Sequence, residues 1–91
     1  MTKLIINGMK IHELKTIEPY FSQVETGEKT FEIRYNDRNY QKGDYLLLQK
    51  YDGIMQSFNG ESLLVRVKYV LKDYHGLSKD MCIMSISKPL E

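Results

Sequence analysis

Lys29, Glu32 and Arg34 stand close together in the stretch GEKTFEIR (27–34) and supply an amine, a carboxylate and a guanidinium. In extended backbone Glu32 and Arg34, two positions apart, project from one face with Thr30 beside them, while Phe31 and Ile33 take the other. Lys29 sits at the start of that strand, where a turn can aim its amine at the same face. Gathered in a cleft, these groups can grip a phosphate, hydrogen-bond a planar amide or move protons. The competing reading is a solvated strand face whose opposite charges pair for about 0–1 kcal/mol.

Two further groups of residues are candidates. His12 and Lys15 flank the approach to a short helix, and the imidazole can join the charged set as proton donor or base, or sit half-buried on one hydrogen bond. No His, Cys or carboxylate stands at metal-ligand spacing from it, so a zinc site is rejected and no cofactor is expected. Next, Asn36, Asp37, Arg38, Asn39 and Tyr40 form a polar run. Asn36 and Asp37 are turn formers, whereas Arg38 and Tyr40 in an exposed loop can grip a phosphate and stack a base. His75, beside Gly76, reads as a turn residue. There is no Gly-rich phosphate loop, no Gly-x-Ser-x-Gly elbow, no Cys-x-x-Cys pair and no triad spacing.

Those residues need elements to position them. The 91 residues make one domain, 1–91, able to bury roughly 60–65% of its unfolded surface. Residues 2–6 are a short apolar piece ended by Asn7-Gly8, and 9–15 read as a strand of imperfect alternation: Met9, Ile11 and Glu13 on one face, Lys10, His12 and Leu14 on the other. Pro19 opens a two-turn helix with Tyr20, Phe21 and Val24 as its apolar face, both aromatics docking on the sheet, and Gly27 takes the left-handed position beyond its end. Strand 30–34 leads into a loop, 35–43, and strand 44–51 is apolar without alternation at 45–48, as expected where both faces are covered. Asp52-Gly53 and Asn59-Gly60 are hairpin-type turn pairs. In strand 62–71, Leu63, Val65, Val67, Tyr69 and Leu71 share a face; a loop, 72–80, and a last strand, 81–87, follow, with Pro89 ending it. The expected fold is mostly β (α+β): a small barrel of about five to six strands with one short helix plugging an end.

Composition narrows the function. A net charge of +1 means that any phosphate recognition comes from a local cluster and not from a global field. No apolar run reaches the length of a membrane span and no signal-peptide core opens the chain, so no membrane partner is expected. Cys82 is the one cysteine; it precludes an internal disulfide, fits a reducing cytoplasm, and lies in an apolar run where a buried inert thiol is expected. The chain is taken as a monomer.

The pattern Gly27-x-Lys29-x-x-Glu32-x-Arg34, preceded by Phe21-x-x-Val24 and followed by Gly43-Asp44, resembles the ASCH family of the PUA-like superfamily. With His12-x-Leu14-Lys15 and Phe31-Glu32-x-Arg34-x-Asn36-Asp37-Arg38 it is similar to a short bacterial and phage branch of that family, over about residues 10–86. The resemblance implies a PUA-like β-barrel that binds RNA through a cleft lined by the Lys/Glu/Arg motif. The ligand-binding set is then His12, Lys15, Lys29, Glu32, Arg34, Asn36, Asp37 and Arg38, and the partner a short or single-stranded RNA, a nucleotide or a modified nucleoside. Some ASCH-like proteins hydrolyse an amide on an acetylated cytidine nucleoside with a lysine, a threonine and a distant glutamate. Lys29 matches that lysine, Glu32 stands at the threonine, and Glu61 matches the glutamate by position alone; as an amidohydrolase the chain would use Lys29 and Glu32 as catalytic groups. A phage or host interaction scaffold is the third reading. The binding and hydrolase readings expect Lys29, Glu32, Arg34, His12 and Lys15 to meet in one hollow at the barrel mouth, whereas the scaffold reading is indifferent to that cluster.

Overall fold

Alternating side chains leave each strand one face to bury, and the chain buries those faces by curling a single sheet around one core. The computed structural model describes residues 4–6 and 8–89. In chain order the elements are β1 (Leu4–Ile6), β2 (Met9–Thr16), α1 (Tyr20–Glu25), β3 (Phe31–Tyr35), β4 (Tyr45–Asp52), β5 (Ser57–Leu71) and β6 (Met81–Ser87). They form one six-stranded sheet in the order β1-β2-β4-β5-β6-β3. Every neighbouring pair is antiparallel except β2 and β4, which run parallel in the register His12↔Leu46 and Leu14↔Leu48. A parallel pair needs a long crossover, and here it carries α1 and β3. The expected mostly-β fold with one short helix is present as a half-barrel: β1 and β3 are the two edges. The amino-terminal apolar piece and its Asn7-Gly8 turn are described only in part, since Thr2 and Asn7 lie outside the described residues.

Leu46 and Leu48 of β4, Val65 and Val67 of β5, and Cys82 and Met84 of β6 are all at most 2% exposed and make the floor of the core. Tyr45 and Leu47 are half-buried, so the second face of β4 is covered only in part. Burial pushes the Cys82 thiol above its ordinary value, which keeps it protonated and unreactive. At six residues α1 is too short to stand alone, and it docks through Phe21 and Val24 while Tyr20 stays half-exposed. Its first turn is held by Glu18, whose carboxylate accepts from the Ser22 amide at 2.8 Å and from the Ser22 hydroxyl. Those two bonds hold the Glu18 carboxyl below its usual range.

Two expectations are corrected. Asn59-Gly60 does not close a hairpin; it lies inside β5, where Gly60 takes φ +90° and the pairing shifts register opposite Gln49 and Tyr51. A second irregularity between Val67 and Tyr69 turns Tyr69 outward, 59% exposed, and sets Val70 against the core in its place. A bulge adds one residue and so reverses the faces beyond it.

Candidate functional site

β3 reverses the usual assignment of polar and apolar faces. Glu32 is buried and Arg34 half-buried on the concave side, while Phe31, Ile33 and Tyr35 are exposed. The carboxylate tolerates this position because cations meet it from both directions. Lys29 Nζ donates to Glu32 Oε2 at 2.5 Å and to the Phe31 carbonyl at 2.7 Å. Arg34 donates to Glu32 Oε1 from Nε at 3.1 Å and from Nη2 at 2.9 Å. Lys29 is itself fixed by its backbone, whose N–H donates to the Gln23 carbonyl at the end of α1.

Arg34 also crosses to β2, where Nη2 donates to the Lys15 carbonyl at 3.1 Å and to Thr16 Oγ1 at 3.3 Å. Three strands separate β2 from β3 in the sheet order, so this reach is possible only because the sheet curls. The guanidinium bridges the open seam of the half-barrel. Arg34 Nη1 makes no hydrogen bond within the described residues, Lys29 keeps one of its three hydrogens, and Glu32 Oε2 keeps one lone pair. The cluster thus offers donors of net positive charge next to a single acceptor.

A groove of about 830 Å³ opens over the cluster, walled by the half-exposed rings of Tyr20 and Phe31 and by Tyr35. Lys29 Nζ lies 4.9 Å from the Phe31 ring centre and 5.7 Å from that of Tyr20. A second groove, about 870 Å³, continues the seam past Arg34 and Tyr35 to Lys10, His12, Arg38 and Tyr40. Both volumes lie in the range of small-molecule sites.

His12 does not enter the Lys29–Glu32–Arg34 cluster. It faces the second groove, where its Nε2 donates to Asp44 Oδ2 at 2.8 Å and its ring meets Tyr40 edge-on at 4.8 Å. Asp44 Oδ2 also accepts from the Gln41 amide at 3.0 Å. Lys15 contributes its carbonyl, but its ammonium lies over the Tyr51 ring at 4.6 Å. Asn36 is a structural turn residue: its N–H donates to the Asp80 carbonyl and its Oδ1 accepts from the Tyr40 amide. Asp37 and Arg38 are exposed and line the second groove. Glu61 is bonded to Lys50 and Asn59, and neither it nor His75 lines either groove. Lys29, Glu32 and Arg34 therefore meet as expected from their spacing, joined by Thr16 and the three rings, whereas His12 and Arg38 share the adjoining groove. Thr16 was not singled out from the sequence, and Asp44 and Phe31 entered only as motif positions without a role at the site, although Asp44, Leu46 and Leu48 occupy one strand face by simple alternation.

The Tyr40 phenol, expected to be exposed, is only 2% accessible. Burial pushes its pKa up to about 12 against the pull of Arg38 and Arg34. A phenol that stays neutral longer in the folded chain contributes stability that is full below pH 10 and lost as pH rises from 10 through 12. The unfolding free energy of wild type, measured by urea titration from pH 8 to 12, should fall relative to that of Tyr40→Phe over that window by up to roughly 2 kcal/mol. Parallel curves would contradict the assignment.

Fold and seam define a small curled β-domain with a buried ion-pair cluster on its concave face and two adjoining grooves along its open seam. No helix among the described residues is long and apolar enough to cross a membrane. The chain belongs to the family described as "Domain of unknown function (DUF3850)", whose model matches residues 11–86, a span that holds both the Lys29 cluster and the His12–Asp44 pair. It is similar to the "Uncharacterized 12.9 kDa protein in GpA 3'region" of Escherichia phage P2, 38% identical over 71 residues that make up 71% of this chain and 63% of that protein. The chain thus spans less than two thirds of that relative's length.

Proposed function

We propose that this domain binds a short single-stranded ribonucleotide ligand in the seam between β2 and β3. The observation that carries the reading is the held Lys29–Glu32–Arg34 cluster at the base of a groove with half-exposed aromatic walls. Arg34 and Lys29 keep hydrogens for a phosphate, Glu32 keeps one acceptor for an exocyclic amine, and Phe31, Tyr20 and Tyr35 present faces on which a base can stack. The likeness of the 27–34 motif to the ASCH pattern supports the same reading. Near-neutral net charge suits a short ligand engaged by a few contacts over a long duplex held by its field.

Hydrolysis of an acylated nucleoside by Lys29 and Glu32 has less support. Both carboxylate oxygens are engaged by cations, so Glu32 is better placed as a fixed acceptor than as a base. Fluorescence anisotropy with labelled oligoribonucleotides tests the binding reading. Lys29→Ala and Arg34→Ala should each weaken binding by roughly tenfold, with a shallow salt slope corresponding to two or three phosphates. Equal affinity of wild type and both variants would overturn it.

A further inference from the structure

The second groove holds a carboxylate–imidazole pair that ligand binding at the Lys29 cluster leaves unused. His12 Nε2 lies 2.8 Å from Asp44 Oδ2, and in the tautomer that donates there Nδ1 is the acceptor nitrogen. Nδ1 has no hydrogen-bond partner among the described residues. No fully buried side-chain nitrogen or oxygen there lacks a partner, so Nδ1 is not wholly enclosed, and His12, 7% exposed, lines the groove. A carboxylate that fixes one ring nitrogen while the other stays bare is the arrangement of a general base.

The surroundings say what kind of proton such a base would take. Arg38 and Lys10 bring two cations to the same groove, and neither makes an ion pair within the described residues. Phe58 adds a half-exposed ring and Tyr35 an exposed one. Two carboxylates also line the groove: Glu13, which accepts from Gln49 at 3.3 Å, and the exposed Asp37. A substrate here would carry a weakly acidic hydroxyl beside an anion and planar groups beyond it. A ribose 2′-hydroxyl next to a phosphodiester has all three features.

We propose that His12 is a general base for cleavage of RNA by internal transesterification, with Asp44 as its positioning residue; this rests on the ribonucleotide reading of the seam. His12 Nδ1 takes the 2′-hydroxyl proton and the 2′-oxygen bonds to phosphorus. The bond from phosphorus to the 5′-oxygen breaks, and that oxygen takes a proton from water. The products are a 2′,3′-cyclic phosphate and a 5′-hydroxyl, and the imidazolium returns its proton to solvent. Arg38 and Lys10 face the charge that builds on the phosphoryl oxygens. Asp44 holds the tautomer in which Nδ1 is bare.

The test uses a labelled single-stranded oligoribonucleotide and its all-2′-deoxy counterpart, with products resolved by chromatography. Wild type should bind both and yield cyclic-phosphate ends from the ribo form alone. His12→Gln, whose amide can still donate to Asp44, should bind within twofold of wild type and cleave 10²- to 10⁴-fold more slowly. Asp44→Asn, which can keep the bond to His12 but not the charge that steadies the imidazolium formed in the step, should lower kcat at least tenfold with KM unchanged, a split that a purely structural role would not give. Wild type that binds without cleaving, or His12→Gln that cleaves at the wild-type rate, overturns the proposal and leaves the binding reading in place. Wild type that binds neither oligonucleotide overturns both.

Discussion

Glu32→Ala is expected to lower the unfolding free energy by about 3 kcal/mol, the low end of the range for removing one partner of a buried ion pair. The side chain of Glu32 is 4% exposed, against 15% for Lys29 and 25% for Arg34. Without the carboxylate both cations lose their main acceptor, and because each retains some access to water the loss falls short of the full penalty for an uncompensated buried charge. Arg34 keeps the Lys15 carbonyl and Thr16, so the seam should loosen but not open. For a domain of this size the change corresponds to a fall of roughly 15 °C in Tm. The triple variant Lys29→Met, Glu32→Leu, Arg34→Met should cost no more than Glu32→Ala alone, since it removes all three charges together and fills the space with apolar volume. Urea titration of the wild type, the single and the triple variant decides this. A single-variant loss below about 1 kcal/mol would mean that the cluster behaves as a set of solvated pairs.

The same residues show how far the sequence could be read. Two-residue spacing placed Glu32 and Arg34 on one face, and the turn at Gly27 brought Lys29 round to them; the network follows from local geometry. Local geometry did not say that this polar face would be the inward one. β3 sends Glu32 inward and leaves Phe31 and Ile33 about half exposed because it is an edge strand beside an open seam, and the curl of the whole sheet decides which face is concave. His12 is the opposite case. Its partner lies 32 positions away and meets it only through the parallel pairing of β2 with β4, which no local pattern encodes. Alternation along Asp44, Leu46 and Leu48 could have shown that the carboxylate faces the core and needs a donor. Tyr69 was misplaced for a third reason: the extra residue of a bulge reverses every face after it, and Val67-Lys68-Tyr69 carries no glycine to mark the spot.

Asp44→Ala is the second large effect expected, about 2 kcal/mol of stability, and it separates the structural from the chemical role of the pair. The start of β4 is fixed on both sides of this residue: the Gly43 amide donates to the Val67 carbonyl at 2.8 Å, and the Val67 amide donates to the Asp44 carbonyl at 2.8 Å. Gly43 takes φ +95°, a conformation that favours glycine, and a Cβ there would come within 2.7 Å of the Met9 methyl. With its backbone so held, the carboxylate has one direction, and Oδ2 accepts from both His12 and the Gln41 amide. Truncation to alanine leaves the buried His12 donor unsatisfied, at about 1–3 kcal/mol, while the amide of the exposed Gln41 can turn to water. Asp44→Asn should cost only about 1 kcal/mol, because its carbonyl oxygen can accept both bonds and only the charge assistance is lost. A double-mutant cycle of His12→Ala with Asp44→Ala should give a coupling of roughly 1.5–3 kcal/mol by urea titration. Coupling near zero would mean that the imidazole and the carboxylate are neighbours without being partners, and the orientation of Nδ1 toward the groove would then have nothing to hold it.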